Sequence, residues 1–224
     1  MSSRWSRMTP LTGVVFVVIL VVGQVLLGNE PGSSASAAKV VAFYSAHRGG
    51  IRASSYLTGL SLVFGLFFYG YLRDHIRRFE RSTHLAAIAF GGAVLFAVGG
   101  ALGAGTQLAL ADTPRSLSPA AAQALNLLQQ DVTVFAIAGG VAGLLIASGL
   151  AIVRGRQLPT LVGWLGLVLG VVSLAPVRNV GAPLAGVWTL VVSILLWVRT
   201  GRLASESASG AGDTVASTAG RERV

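Results

Sequence analysis

Six stretches of the chain contain no Asp, Glu, Lys or Arg: Met8–Asn29, Ala53–Leu72, Leu85–Ala111, Val132–Val153, Gln157–Val177 and Asn179–Val198. Each is mainly apolar and runs for 20 to 27 residues. A helix needs about 20 such residues to cross a hydrocarbon core of about 30 Å. Strands of a membrane barrel would alternate apolar and polar positions over about 10 residues instead. Backbone groups in lipid must be satisfied internally, so the runs predict helices. The expected fold is all-α, a polytopic six-helix transmembrane bundle with short amphipathic helices in the two long outer loops. A single transmembrane domain covers 1–203, with spans at about 10–28, 52–72, 84–109, 131–153, 158–176 and 181–198.

Two of the runs need a closer reading. The last two are separated only by Arg178, but Pro176 and Pro183 oppose one continuous helix, since proline removes an N–H and clashes with the preceding turn. Ala175–Pro183 therefore reads as a tight hairpin. The first run follows Arg4 and Arg7, as a signal peptide would, and Ala35-Ser36-Ala37 is a cleavage-like sequence. Its apolar core reaches Leu27, longer than the usual 7–15 residues, so retention as a span is expected. Cleavage would leave five spans.

Basic residues in the loops set the orientation. With the N-terminus inside, the inner side carries Arg4, Arg7, Arg73, Arg77, Arg78, Arg81, Arg154, Arg156, Arg199 and Arg202. The outer side carries Lys39, Arg48, Arg52, Arg115 and Arg178. The excess predicts a plasma-membrane protein with both termini cytoplasmic. Tyr69, Tyr71, Trp164 and Trp197 fall near span ends, where aromatic rings favour the headgroup level.

The connecting segments have patterns of their own. In the first outer loop, Glu30–Arg52, residues Ala37, Val40, Val41 and Tyr44 recur at i, i+3, i+4, i+7 and predict a short surface helix. Gly49-Gly50 offers its C-cap. In the second, Asp112–Asp131, Ser118-Pro119 is a helix start that runs into span 4, with Leu125 and Leu128 turned toward the bundle. The basic loop Arg73–His84 extends span 2 by a turn or two, supported by an Asp74–Arg78 pair, and faces anionic headgroups. Residues 204–224 are rich in Ser, Ala, Gly and Thr without apolar periodicity, which predicts a disordered cytoplasmic tail.

Composition sharpens this picture. Hydrophobic residues make up 53% of the 224 and charged residues only 11%, far from a soluble domain's roughly 25%. The net charge of +9 would suggest nucleic acid in a soluble protein, but here it lies in loops at the membrane, so no nucleic-acid partner is expected. Cysteine is absent, which excludes disulfides, thiolate metal sites and cysteine nucleophiles. His47, His75 and His84 do not share a metal-ligand spacing. No Asp, Glu, Lys, Arg or His falls within the six apolar cores, which disfavours proton pumps, voltage sensors and intramembrane hydrolases. No enzyme activity, cofactor, metal or catalytic residue is expected.

Polar residues do gather at the outer helix ends. Arg52, Tyr56, Gln107, Asp131 and Arg178 are the candidate outer-face cluster, with Thr106, Gln129, Gln130 and Asn179 nearby and Asp131 a partner for Arg52 or Arg178. They read either as ordinary interfacial residues or as a shallow pocket for a small molecule or lipid headgroup. Gln24 lies in the outer half of span 1, where it needs a partner. Small residues recur four apart at Ser61/Gly65, Gly99/Gly103, Ala101/Gly105, Gly139/Gly143 and Gly166/Gly170, a spacing that lets helix backbones approach within one molecule or across a homodimer.

Phe43-Tyr44-Ser45-Ala46-His47-Arg48, then Ile51-Arg52-Ala53-Ser54-Ser55-Tyr56-Leu57 and Leu72-Arg73, with Leu158-Pro159 and Gly163-Trp164-Leu165-Gly166-Leu167-Val168-Leu169-Gly170, form a recognisable set. Over roughly residues 10–200 the chain resembles a family of small multi-pass membrane proteins of high-GC bacteria with no assigned activity. The resemblance implies a six-helix inner-membrane protein and carries no catalytic residues with it. The expected role is that of a non-catalytic accessory or scaffold subunit, in contact with membrane lipids and with a protein partner or a second copy through the Gly-rich faces. The alternative is a small transporter or exporter of a neutral or lipophilic compound, which needs a cavity reaching mid-membrane.

Overall fold

Proline, glycine and serine mark many of the helix ends. α1 (Leu11–Leu27) follows Pro10 and stops at Gly28, whose φ of 71° suits a residue without Cβ. α2 (Ala37–Ala46) starts at Ser36, whose hydroxyl accepts from the Lys39 N–H at 3.4 Å. Only His47 separates it from α3 (Arg48–Arg77). α4 covers Thr83–Asp112. α5 (Pro119–Gly155) starts at Ser118, which accepts from the Ala121 N–H at 3.2 Å. It ends at Arg156, in the left-handed conformation with φ 50°. α6 (Thr160–Val172) follows Pro159, and α7 (Ala182–Thr200) has Pro183 in its first turn.

This architecture comes from a computed structural model that describes residues 8–78, 83–113, 116–156, 158–175 and 182–200, the side chains of 132–134 excepted. The described residues form helices and turns and no strand. Among the described residues four helices, α3, α4, α5 and α7, are long and apolar enough to cross a membrane. α1 and α6 are apolar but shorter, at 17 and 13 residues. Pro10 and Gly28 bound the first. The second passes into tighter turns over Ser173, Leu174 and Ala175. The expected hairpin between the last two runs, the tail, and Arg4, Arg7, Arg81, Arg115, Arg178, Asn179 and Arg202 lie outside the described residues.

α4 and α5 make the closest approach. A Cβ added to Gly92 would lie 2.4 Å from the Leu144 backbone nitrogen, and one on Gly140 2.4 Å from that of Phe96. α3 packs against α1 and α4, and α6 against α5. α7 is tied to three helices. The Ser193 hydroxyl donates to the Pro10 carbonyl of the chain entering α1, Thr189 bonds the Tyr69 hydroxyl of α3 at 2.9 Å, and the Trp188 Nε1–H donates to the Val162 carbonyl of α6 at 3.1 Å. Between these helices lies a core containing Phe16, Phe68, Tyr69, Phe96 and Leu144. Phe16 meets Tyr69 and Phe96 edge-on at 6.0 and 6.2 Å, and the cleft they line leaves no room for a water molecule.

A smaller core lies at one end, here called the cap end. It joins Leu27, Val40, Tyr44, Ile51, Leu110, Ala111 and Ala122. The opposite, basic end carries Arg73, Arg77, Arg78, Arg154, Arg156 and Arg199.

Several expectations are corrected, but one holds. The second outer segment starts at Ser118-Pro119 and runs unbroken into the next apolar run, as the first third of α5. Within it Leu125 joins the cap core, whereas Leu128 is exposed. Gly49 and Gly50 sit in the first turn of α3 and do not cap α2. Tyr69 is buried in the core, because its hydroxyl finds Thr189 there and has no need of water. Gln24 sits on the exposed side of α1, one turn from its end. Of the paired small residues, Gly65 packs on Phe16, Gly99 on α5, and Gly166 and Gly170 on Trp188 and Ile146, while Gly105 has nothing within 4 Å.

Candidate functional site

At the cap end the positive φ of Gly28 turns the chain out of α1, and the segment 29–36 crosses the ends of α4 and α5. Glu30 enters this junction half-buried. Its Oε1 accepts from the Tyr44 hydroxyl of α2 at 3.1 Å, from the Gln107 amide of α4 at 3.0 Å and from the Gln129 amide of α5 at 3.2 Å. Gln129 also reaches Oε2 at 3.4 Å, and its own Oε1 lies 3.2 Å from the Tyr44 hydroxyl. One carboxylate thus joins three helices through neutral donors.

α5 extends the same junction along its length. Gln130 and Asn126 donate to the Pro31 carbonyl, the latter at 3.4 Å, and Gln123 donates to the Ala35 carbonyl at 3.4 Å. The spacing of Gln123, Asn126 and Gln130 at i, i+3, i+7 places all three on one face of the helix. Asn126 is 1% exposed, and its Oδ1 has no partner among the described residues. Burial above all, then the charge and hydrogen bond of Glu30, holds the Tyr44 phenol well above its ordinary pKa of 10.0, so it remains a donor at neutral pH.

A second polar contact closes the same end. Arg52 approaches Asp112 Oδ1 through Nε and Nη2, each at 2.5 Å, and Arg48 donates to the Asp112 carbonyl at 3.1 Å. Asp112 is the last residue of α4, where a carboxylate opposes the helix dipole and cations offset it. The pair is exposed, with side chains 45% and 39% accessible, and contributes at most about 1 kcal/mol.

The residues singled out from the sequence are placed as follows. Gln107 belongs to the Glu30 junction. Arg52 engages Asp112 instead of Asp131. Tyr56 is 71% exposed on α3, Asp131 is exposed on α5, and Arg178 lies outside the described residues. The sequence reading missed Glu30 as the centre. Its signal was present: it is the only acidic residue before Asp74, in a loop otherwise basic at Lys39, Arg48 and Arg52. Tyr44 reads from the sequence only as an apolar-face residue, and its hydroxyl donates to Glu30 in the structure. Chemically, the junction fixes a carboxylate as an acceptor among amide and phenol donors, and among the described residues no group of three His, Asp or Glu converges as metal ligands. It works as a fastening that holds the segment 28–47 across α4 and α5. Comparison of the chain with protein-family models, curated proteins and solved structures finds no match.

Proposed function

We propose that the chain is a non-catalytic integral membrane subunit that crosses the bilayer six times and presents a rigid cap on the outer side. α1 and α6 serve as the two shorter spans in this reading. Their exposed residues support it: Val15, Val18, Val21, Val22 and Val25 on α1, and Leu161, Trp164, Val168 and Val171 on α6, form apolar faces suited to lipid tails. The excess of arginine at the opposite end supports a cytoplasmic location for that end and for both termini.

The observation that carries the reading is the cap junction. The polar side chains joined to Glu30 are spent on holding one segment against two helices, and the cap has its own apolar core. A preorganised surface of this kind suits a protein partner at the membrane face, at low ordering cost. The filled centre around Phe16, Tyr69 and Phe96 supports a packed subunit over an exporter of a neutral or lipophilic compound.

Native mass spectrometry of the protein released gently from its own membranes tests the proposal. A reproducible stoichiometric partner, or a dimer, is the expected result. A bare monomer retaining one small molecule would overturn it in favour of binding or transport.

A further inference from the structure

The basic end holds an arrangement that orientation alone does not require. Tyr71, His75 and Arg78 follow one another at i, i+4, i+7 and so share one face at the end of α3. The Tyr71 and His75 rings stack with centroids 6.3 Å apart and planes at 25°. α3 and α7 are joined at the Tyr69–Thr189 hydrogen bond, and Arg78 and Arg199 lie nine and ten residues further along the two helices, at their ends. Two exposed arginines thus end neighbouring helices, and one of them shares a face with a stacked phenol and imidazole.

Neither Arg78 nor Arg199 makes an ion pair among the described residues. The ion pairs found between described residues are both at the cap end, on Asp112. The pair expected between Asp74 and Arg78 is not among them, and Asp74 is exposed. Arg73, one turn back, is taken up differently, with its guanidinium 5.4 Å from the Phe90 ring centre. Helix C-termini attract cations, which accounts for an arginine at each helix end but not for the stacked phenol and imidazole beside Arg78. Guanidinium groups match phosphate oxygens in a bidentate fork, and a phenol adds a donor.

We propose that the ends of α3 and α7 hold a phosphate group presented by an anionic lipid headgroup. The site rests on the membrane reading above and names a partner for it. Arg78 and Arg199 grip the phosphate oxygens, while Tyr71 and His75 form the wall on the protein side. A headgroup fits better than a free solute because Arg78 and Arg199 are exposed at the rim of the apolar surface, where lipid phosphates lie.

The test uses the full chain in detergent, titrated separately with phosphatidylglycerol and phosphatidylcholine and read by native mass spectrometry. One retained phosphatidylglycerol, with phosphatidylcholine at least about tenfold weaker, is expected. The double variant Arg78→Gln/Arg199→Gln lowers phosphatidylglycerol retention by about tenfold or more, whereas Arg77→Gln/Arg154→Gln, which removes the same charge, leaves it within about threefold. All four arginines are exposed, so neither variant disturbs the core. Equal loss in both double variants would mean diffuse attraction and overturn the site. Inorganic phosphate that binds without lipid, and displaces phosphatidylglycerol at comparable concentration, would overturn the lipid as its source. Headgroup-indifferent lipid retention by a detergent-dependent chain would defeat this site alone. A chain that leaves the membrane fraction without detergent would defeat the membrane reading as well.

Discussion

Glu30 shows how much one side chain can organise. A hydrogen bond to a charged group contributes about 1.5–3 kcal/mol net, and Glu30 accepts three of them at one oxygen. Glu30→Ala leaves Tyr44, Gln107 and Gln129 without their acceptor and is expected to cost about 2–3 kcal/mol, read from denaturant unfolding in detergent. Limited proteolysis between residues 28 and 47 should quicken in the same variant. Tyr44→Phe should cost about 1–2 kcal/mol at pH 7. Because the folded-state pKa of Tyr44 is raised, its contribution is fully present below its ordinary value of 10.0 and is lost as pH rises beyond it. The wild type should therefore hold constant stability from this group between pH 7 and 9 and weaken above about pH 10, and Tyr44→Phe should show a smaller alkaline loss. Arg156 is the other residue with a local cost, since its left-handed conformation strains a side chain bearing Cβ by roughly 1–2 kcal/mol. Arg156→Gly is expected to stabilise by about 1 kcal/mol in the same unfolding assay.

Between helices, stability depends on where the glycines face. Gly92 and Gly140 lie where the backbones of α4 and α5 touch, and any added carbon meets backbone atoms that cannot rotate away. Gly92→Val and Gly140→Val should each destabilise by about 2–3 kcal/mol or more, whereas Gly105→Ala, with open space around it, should stay within about 0.5 kcal/mol. Thermal unfolding of the three variants in one detergent compares them directly. The four-apart spacing pointed to these helices but not to this contact. It found Gly139/Gly143 and Gly99/Gly103, yet the crossing centres on Gly92 and Gly140, one from each helix. Spacing within a helix reports which residues share a face, and the point where two helices cross depends on both of them.

Seen as a whole molecule, the chain is polar at its two ends in different ways, with a hydrogen-bonded acid and amides at one and, among the described residues, arginines without ion pairs at the other. Reporter fusions within Arg73–His84 should therefore read as cytoplasmic and those within Glu30–Arg52 as external, and the reverse result would sink the orientation. The helical character of the chain was legible because charge-free runs of 20 or more residues leave the backbone no other way to satisfy itself in lipid. The cap helix was legible too: Val40 and Tyr44 recur four apart, and both are buried. Those are local properties, decided by residues within a few turns of one another. What only the tertiary structure decided are the meetings of distant residues: Glu30 with Gln107 and Gln129, Arg52 with Asp112 instead of Asp131, and Tyr69 with Thr189. A buried polar group takes whichever partner the packing brings within about 3 Å, and that choice is made by helix crossings far apart in the chain.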